Sequence, residues 1–312
     1  MKIIKVGKND NDIRLDNFLS KLFPNLKKSF LYQSLRKNKI KINGCKKPFN
    51  YRIKENDEIK LFFNDDQIIK KANKTIQTKI DFKIVYEDAN IMIVNKPVGL
   101  FVHPNSIDDT NTLIDQIKSY LITKHEYNPD NENVFTPSLV NRLDRNTCGL
   151  ILVAKNHDSL RILNQKIKNR EIVKHYVCQV YGIIDPKSAT ICSYLTKDPK
   201  NNIVKITKKP ISLKSKKIIT KYKMISHDKS TSIVDVNLIT GRTHQIRAHF
   251  KYIGFPLVGD RKYNNKNSKS LIKKHSHQHL CAYYLKFKFK TNSGILNYLN
   301  EKSFSIDFKQ YL

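Results

Sequence analysis

Asn141-Arg142-Leu143-Asp144-Arg145-Asn146-Thr147-Cys148-Gly149-Leu150 runs directly into the apolar stretch 149–154. An apolar run of that length suits a buried strand and is too short for an independent helix. One carboxylate therefore stands at a strand entrance between two arginines. An opposite charge within about 4–6 Å favours the ionised form and lowers a carboxylate pKa by roughly 1–3 units. An ionised carboxylate held in place can serve as nucleophile or base. On spacing alone a structural ion pair is the favoured explanation, so the segment needs companions.

Two companions lie outward from it. Upstream, Asn95-Lys96-Pro97-Val98-Gly99-Leu100 and then Val102-His103-Pro104 follow the short apolar run 91–94. Pro97 and Gly99 predict a turn, which would hold Lys96 at a strand end facing a ligand. Downstream, Gly241-Arg242-Thr243-His244-Gln245-Ile246-Arg247-Ala248-His249 precedes Gly254-Phe255-Pro256-Leu257-Val258-Gly259-Asp260. Thr243 is the expected cap of a helix whose first turn presents His244, Gln245 and Arg247. His244 and His249 are five apart, which does not match the i, i+4 zinc pair of a helix. The run His275-Ser276-His277-Gln278-His279 has no Cys or carboxylate to complete a site and reads as a polar loop. No metal is expected.

The flanking pattern alternates strands and helices. Residues 84–86, 91–94, 176–182 and 232–238 read as strands, and 158–170 has the spacing of a helix through Leu160, Leu163 and Ile167. Residues 1–63 form a separate small pattern. Leu15, Phe18, Leu19 and Leu22 make one helix face ending before Pro24, and Ser29 is the expected cap of a second helix. Residues 39–42 alternate, Asn43-Gly44 marks a tight turn, and 58–63 supply another strand. Residues 64–80, polar and Lys-rich, read as a linker to a larger domain over 81–312.

The chain has 312 residues, with 58 Lys+Arg against 27 Asp+Glu, a formal charge of +31. Such an imbalance points to a polyanionic partner, nucleic acid or an anionic membrane. Residues 1–80 carry a net +12 and the rest +19. A hydrophobic fraction of 39% is too high for a disordered basic tail. A membrane-spanning helix needs an unbroken apolar run of about 18 residues or more. No run here comes near that length, and the N-terminus lacks a signal-like apolar stretch. Five scattered cysteines without a C-x-x-C pair suggest a reducing cytoplasm. Only ten of the 58 basic residues are Arg, and four of these fall in the two central motifs. Arg offers a planar fork that Lys cannot.

Together these segments resemble the RluA family of pseudouridine synthases. The family's Arg-Leu-Asp-x-x-Thr-x-Gly-Leu stands at 142–150, Gly-Arg-Thr-His-Gln-Ile-Arg at 241–247, and Lys-x-Tyr at Lys174-His175-Tyr176. The N-terminal pattern, on residues 14–19 and 39–44, resembles the S4-type RNA-binding domain. That combination is most similar to the large-subunit pseudouridine synthase C branch. The resemblance implies an α+β fold: an S4-like module plus a catalytic domain with a mixed, mainly antiparallel sheet. It implies isomerisation of uridines in large-subunit (23S) ribosomal RNA without a cofactor; a cytoplasmic location follows from the cysteine usage, and a monomer is the default expectation. Asp144 falls on the catalytic aspartate, Tyr176 on the tyrosine that packs against the base, and Arg247 on the arginine that pairs with the aspartate. Arg142 falls on the arginine that enters the space left by the base. Arg242, His244 and Lys96 are the other expected substrate contacts; Arg14, Lys28, Arg36, Lys37 and Lys39 are the expected RNA contacts of the S4-like module. The lysines of 200–223 are further expected phosphate contacts. The departures are Asn141 for the usual His, Cys148 for Ser or Thr, and Cys281 for His.

The chemistry suits this reading. The N1–C1′ bond breaks, the uracil turns, and C5 rejoins the ribose, with the Tyr176 phenol as one acceptor for the C5 proton. Glycoside hydrolysis generally uses two carboxylates, and the Arg-Leu-Asp segment offers one. Other classes remain: a non-catalytic RNA-binding or ribosome-assembly protein, a nucleoside glycosylase releasing free uracil, or a basic membrane-surface protein. The last lacks an amphipathic helix with a Lys-rich face.

Overall fold

The computed structural model describes residues 1–62, 78–104, 106, 109–198, 203–264 and 277–312. The chain divides into two compact units. One holds Met1–Ile80, Ile114–Ser138 and Ala154–Arg161; the other holds Asp81–Leu113, Leu139–Val153 and Ile162–Leu312.

In the first unit β1 (Lys2–Lys5) precedes α1 (Leu15–Leu22), α2 (Lys28–Arg36), β2 (Ile40–Ile42) and β3 (Glu58–Leu61). The apolar face of α1 is buried as its spacing predicts, with Leu15, Phe18, Leu19 and Leu22 in a core shared with Ile4, Ile40, Ile42, Ile59 and Leu61. The Ser29 cap is not formed. Lys27 holds the extended N-cap position, and Ser29 lies inside the first turn, where its side chain cannot serve the N–H groups that a cap would. Asn43 and Gly44 both take positive φ, 50° and 78°. A two-residue hairpin turn requires that conformation. The sheet runs β1-β3-β2, all antiparallel.

Segments distant in sequence complete this unit. Val134 packs on the core. The Asn133 amide donates to Asp10 Oδ2 at 2.7 Å and to the Lys5 carbonyl at 2.9 Å. Asn9 accepts from the His157 N–H and donates to Glu132. The unit thus extends beyond the 1–63 pattern. Phe63 and most of the 64–80 linker lie outside the described residues.

The remaining elements are β4 (Lys83–Glu87), β5 (Ile91–Lys96), α3 (Leu113–Thr123), β6 (Ser138–Leu139), β7 (Cys148–Ala154), α4 (His157–Lys168), β8 (Ile172–Tyr181), β9 (Ser188–Asp198), β10 (Ile203–Thr207), β11 (Lys216–His227), β12 (Thr231–Leu238), α5 (Gln245–Tyr252), β13 (Leu280–Phe287) and β14 (Ser303–Ser305). Eleven strands join in one sheet, ordered β10-β9-β11-β12-β8-β13-β7-β5-β4, with β14 on β13 and β6 on β7. Most pairs are antiparallel; β13 and β7 run parallel, so the sheet is mixed. The position of β7 explains its composition: every residue from Cys148 to Ala154 is buried, so no polar alternation is needed. By contrast β12 alternates, with Ser232, Val234 and Val236 buried.

Register brings three positions into a row. Tyr176 on β8 opposes Ala282 on β13, which opposes Gly149 on β7. Gly149 has φ 111°, and a Cβ there would lie 2.2 Å from the Ala282 carbonyl oxygen. Only glycine permits that approach. A single strand, β13, thus separates β7, which the Asp144 loop precedes, from the strand that carries Tyr176.

Candidate active site

Asp144 precedes β7 in a tight turn closed by the Thr147 N–H donating to the Asp144 carbonyl at 3.0 Å. Gln278 fixes the far side of that turn through the Thr147 hydroxyl, 2.9 Å away. Asn141, the departure from the family's His, is also structural here: its side chain accepts from the Leu152 N–H and donates to the Leu150 carbonyl. These bonds leave the Asp144 carboxylate half-buried at the wall of a cavity of about 480 Å³.

Arg247, on the first turn of α5, reaches that carboxylate: Nη1 donates to Asp144 Oδ2 at 2.7 Å. Its other edge grips Asp260 with two bonds, Nε to Oδ2 at 2.7 Å and Nη2 to Oδ1 at 2.9 Å. Asp260 is fully buried and also accepts the N–H groups of Lys262 and Tyr263. The Tyr263 ring lies under the guanidinium, 5.2 Å from its centre. Two carboxylates push the Arg247 pKa up despite burial. The cation is fixed in place and permanently charged. Asp260 and Tyr263 belong to the site; the stretch 254–260 was visible as a motif, but its role depends on a fold-back to α5.

The helix cap differs from expectation. His244, not Thr243, holds the N-cap position, in the left-handed region at φ 53° and with no capping bond from its side chain. Gln245 takes over the work of tying this turn. Its amide oxygen accepts from the Arg242 N–H and the Thr240 hydroxyl, and its nitrogen donates to the Ile219 carbonyl and Thr220. His244 Nδ1 shares a hydrogen bond with the Tyr263 hydroxyl at 2.9 Å, and its Nε2 lies 3.8 Å from Asp144. Burial lowers the His244 pKa and so favours the neutral ring, while Asp144 pulls the other way. His249 points elsewhere, onto Thr220.

Tyr176 forms another wall and is 6% exposed. Burial, reinforced by Asp144, raises its phenol pKa well above the usual value. At neutral pH the phenol keeps its proton, so it presents a packing surface and a hydrogen-bond donor.

Arg142 and Arg242 line the cavity and are exposed. Arg145 does not. It turns to the Gly99 carbonyl and stacks on Phe101, 4.6 Å from the ring. Lys96, expected as a substrate contact, does not line the cavity. It is 0% exposed, and its ammonium donates to the carbonyls of Pro97, Leu100 and Arg145 at 2.7–2.9 Å. Burial brings its pKa down to about 8. Lys96 stitches two loops together and cannot reach a phosphate. Arg14 likewise folds back on Asp16, with two bonds at 2.9 and 3.1 Å. Lys28, Arg36, Lys37 and Lys39 are exposed. His275 and Ser276 lie outside the described residues, as do positions 199–202 of the Lys-rich stretch. Two cavity residues were absent from the sequence expectations as contacts: Arg170, and Lys174, which was noted only as a motif letter.

Residues 90–252 match the family model described as RNA pseudouridylate synthase. The chain belongs to that family. It is 33% identical to an RNA pseudouridine synthase of Mycoplasma genitalium over 98% of this chain and 97% of that protein. It is 34% identical to the ribosomal large subunit pseudouridine synthase C of Rickettsia felis, covering 81% and 82% of the two chains. The solved structure of human RNA pseudouridylate synthase domain containing 4 shares the fold, with a TM-score of 0.56 at 23% identity over 72% of this chain and 87% of that one. This pseudouridine synthase is therefore an isomerase acting on RNA. No helix among the described residues is long and apolar enough to cross a membrane.

Proposed function

We propose that this synthase converts specific uridines of large-subunit ribosomal RNA to pseudouridine, with Asp144 acting on the ribose as nucleophile or base. The observation that carries the reading is the Asp144–Arg247 pair in a cavity with no second carboxylate among its described lining residues. A hydrolase would ordinarily use two. An isomerase retains the base: N1–C1′ breaks, C5–C1′ forms, C5 gives up a proton and N1 gains one. Oxidation state is unchanged, and the reaction calls for no cofactor.

The target leaves its stack at a cost of a few kcal/mol. Arg142 fills the gap, because a guanidinium both stacks on bases and bonds phosphate. Tyr176 packs on the uracil. Arg247 holds the Asp144 carboxylate while the base turns; at about 4 Å and an effective dielectric near 20 such a pair is worth about 4 kcal/mol before desolvation. The N-terminal segment serves as an S4-like RNA-binding module through Lys28, Arg36, Lys37 and Lys39, and the enzyme works in the cytoplasm with the ribosome. The Rickettsia relative's name supports ribosomal RNA as the substrate.

Carbodiimide mapping of pseudouridine in ribosomal RNA, with and without this protein, tests the assignment. Loss of discrete large-subunit signals is expected, and Asp144→Asn should fail to restore them. Loss confined to transfer RNA would overturn the ribosomal assignment, and activity in Asp144→Asn the catalytic one.

A further inference from the structure

Arg170 and Lys174 both line the Asp144 cavity. Among the described residues neither side chain has an ion-pair or hydrogen-bond partner. Arg170 follows α4 in the left-handed conformation, φ 60°, where its N–H donates to the Ile167 carbonyl. A non-glycine residue held there adopts an uncommon backbone conformation and projects its side chain from the end of the helix. Lys174 sits two residues before Tyr176 on β8. Both side chains therefore share one face of the strand, about 7 Å apart along it. That is a span a ribose bridges between a base and its phosphate.

The acids that would neutralise these cations are committed elsewhere. Glu171, adjacent in sequence, is buried. Its Oε2 accepts from Lys166 Nζ at 2.8 Å and from the Lys290 N–H at 2.9 Å, and its Oε1 accepts from Asn169. Asp144 is paired with Arg247. Lys174 is half-buried, and burial lowers its pKa with no counter-charge opposing. An unpaired cation withdrawn from water is costly unless an anion joins it. The cavity lining thus holds two cations without a counter-charge among the described residues, a compact ammonium and a planar fork suited to phosphate oxygens.

We propose that Arg170 and Lys174 form a phosphate-binding subsite that holds the RNA backbone beside the extruded uridine; this rests on the synthase reading above. Lys174 takes the phosphate next to the nucleotide packed on Tyr176, and Arg170 takes its neighbour at the cavity mouth.

The test uses the full chain and an unmodified transcript of the host's large-subunit ribosomal RNA. Each phosphate contact contributes about 0.7–0.9 to the slope of log binding constant against log salt concentration. Arg170→Gln and Lys174→Gln should each flatten that slope by about one contact and raise the half-saturating RNA concentration for turnover about tenfold or more. Arg170→Lys and Lys174→Arg should recover the slope. An unchanged slope and half-saturation in both Gln variants would overturn the subsite, as would a loss confined to the saturated rate. Should Lys174→Gln not fold, the exposed Arg170→Gln carries the same readout. Binding slopes do not depend on turnover. If wild-type protein forms no pseudouridine, the synthase assignment fails while the slopes still report on these two residues.

Discussion

Asp144 and Arg247 meet at 2.7 Å across 103 residues of chain. The contact is directed by a third group, because Arg247 has two of its nitrogens locked on buried Asp260 and only Nη1 is left for Asp144. A planar fork gripped along one edge has little freedom to rotate. The position of the Asp144 carboxylate is therefore transmitted from the 254–260 turn through α5.

Arg247→Lys keeps the charge but cannot span both aspartates. Pseudouridine formation should fall by about 100-fold or more, since misplacement by about 1 Å costs that much. Asp260→Asn leaves the guanidinium buried without its main counter-charge, and should cost about 3–5 kcal/mol in urea unfolding. Wild-type turnover in Arg247→Lys would show that the contact has no catalytic part.

Gly149→Ala should destabilise the protein by about 3 kcal/mol, because the backbone there is strained for any L residue. The added Cβ would lie 2.2 Å from the Ala282 carbonyl oxygen, at a φ of 111°. Urea denaturation measures this. A change within about 0.5 kcal/mol, the range of neutral surface substitutions, would contradict the close approach of β7 and β13.

Acid should weaken the fold through His249. This ring is fully buried, its Nε2 has no partner among the described residues, and burial lowers its pKa to about 4. Between pH 6.5 and 4 the unfolded chain binds the proton that the folded chain refuses. The contribution is therefore complete above about 6.5 and lost as pH falls through about 4. The loss amounts to about 3 kcal/mol at most. His249→Gln should flatten the pH dependence of unfolding in that window; an identical profile would count against it.

Asn133→Ala removes donors to Asp10 and to the β1 backbone, leaving a buried carboxylate with fewer partners. A cost of about 1–3 kcal/mol is expected, read as faster amide exchange in Lys2–Lys5. Unaltered exchange there would mean that the 129–134 segment does not hold β1.

Several elements were legible because their cause is local. The α1 face, the Asn43-Gly44 turn, the apolar β7 and the alternating β12 follow from spacing and turn chemistry. Others depend on partners. The short β1 becomes a strand only by pairing with β3. The Ser29 and Thr243 caps followed a sound local rule, yet in the fold Lys27 and His244 hold the cap positions, leaving each hydroxyl out of place. Lys96 looked like a ligand group because a turn places it at a strand end, but three carbonyls converge on it from two loops.

By itself the sequence determined the family and the pairing of Asp144 with Arg247, since motif order and residue chemistry are written in the chain. It also determined the polyanionic character of the partner, through net charge. Tertiary structure alone decided which cations face the cavity. Arg142, Arg170, Lys174 and Arg242 line it, Arg145 and Lys96 hold loops, and Asp260 orients Arg247. The physical reason is that a charge's role is set by whether a counter-charge or carbonyl is within about 3 Å, and that distance exists only after the chain folds.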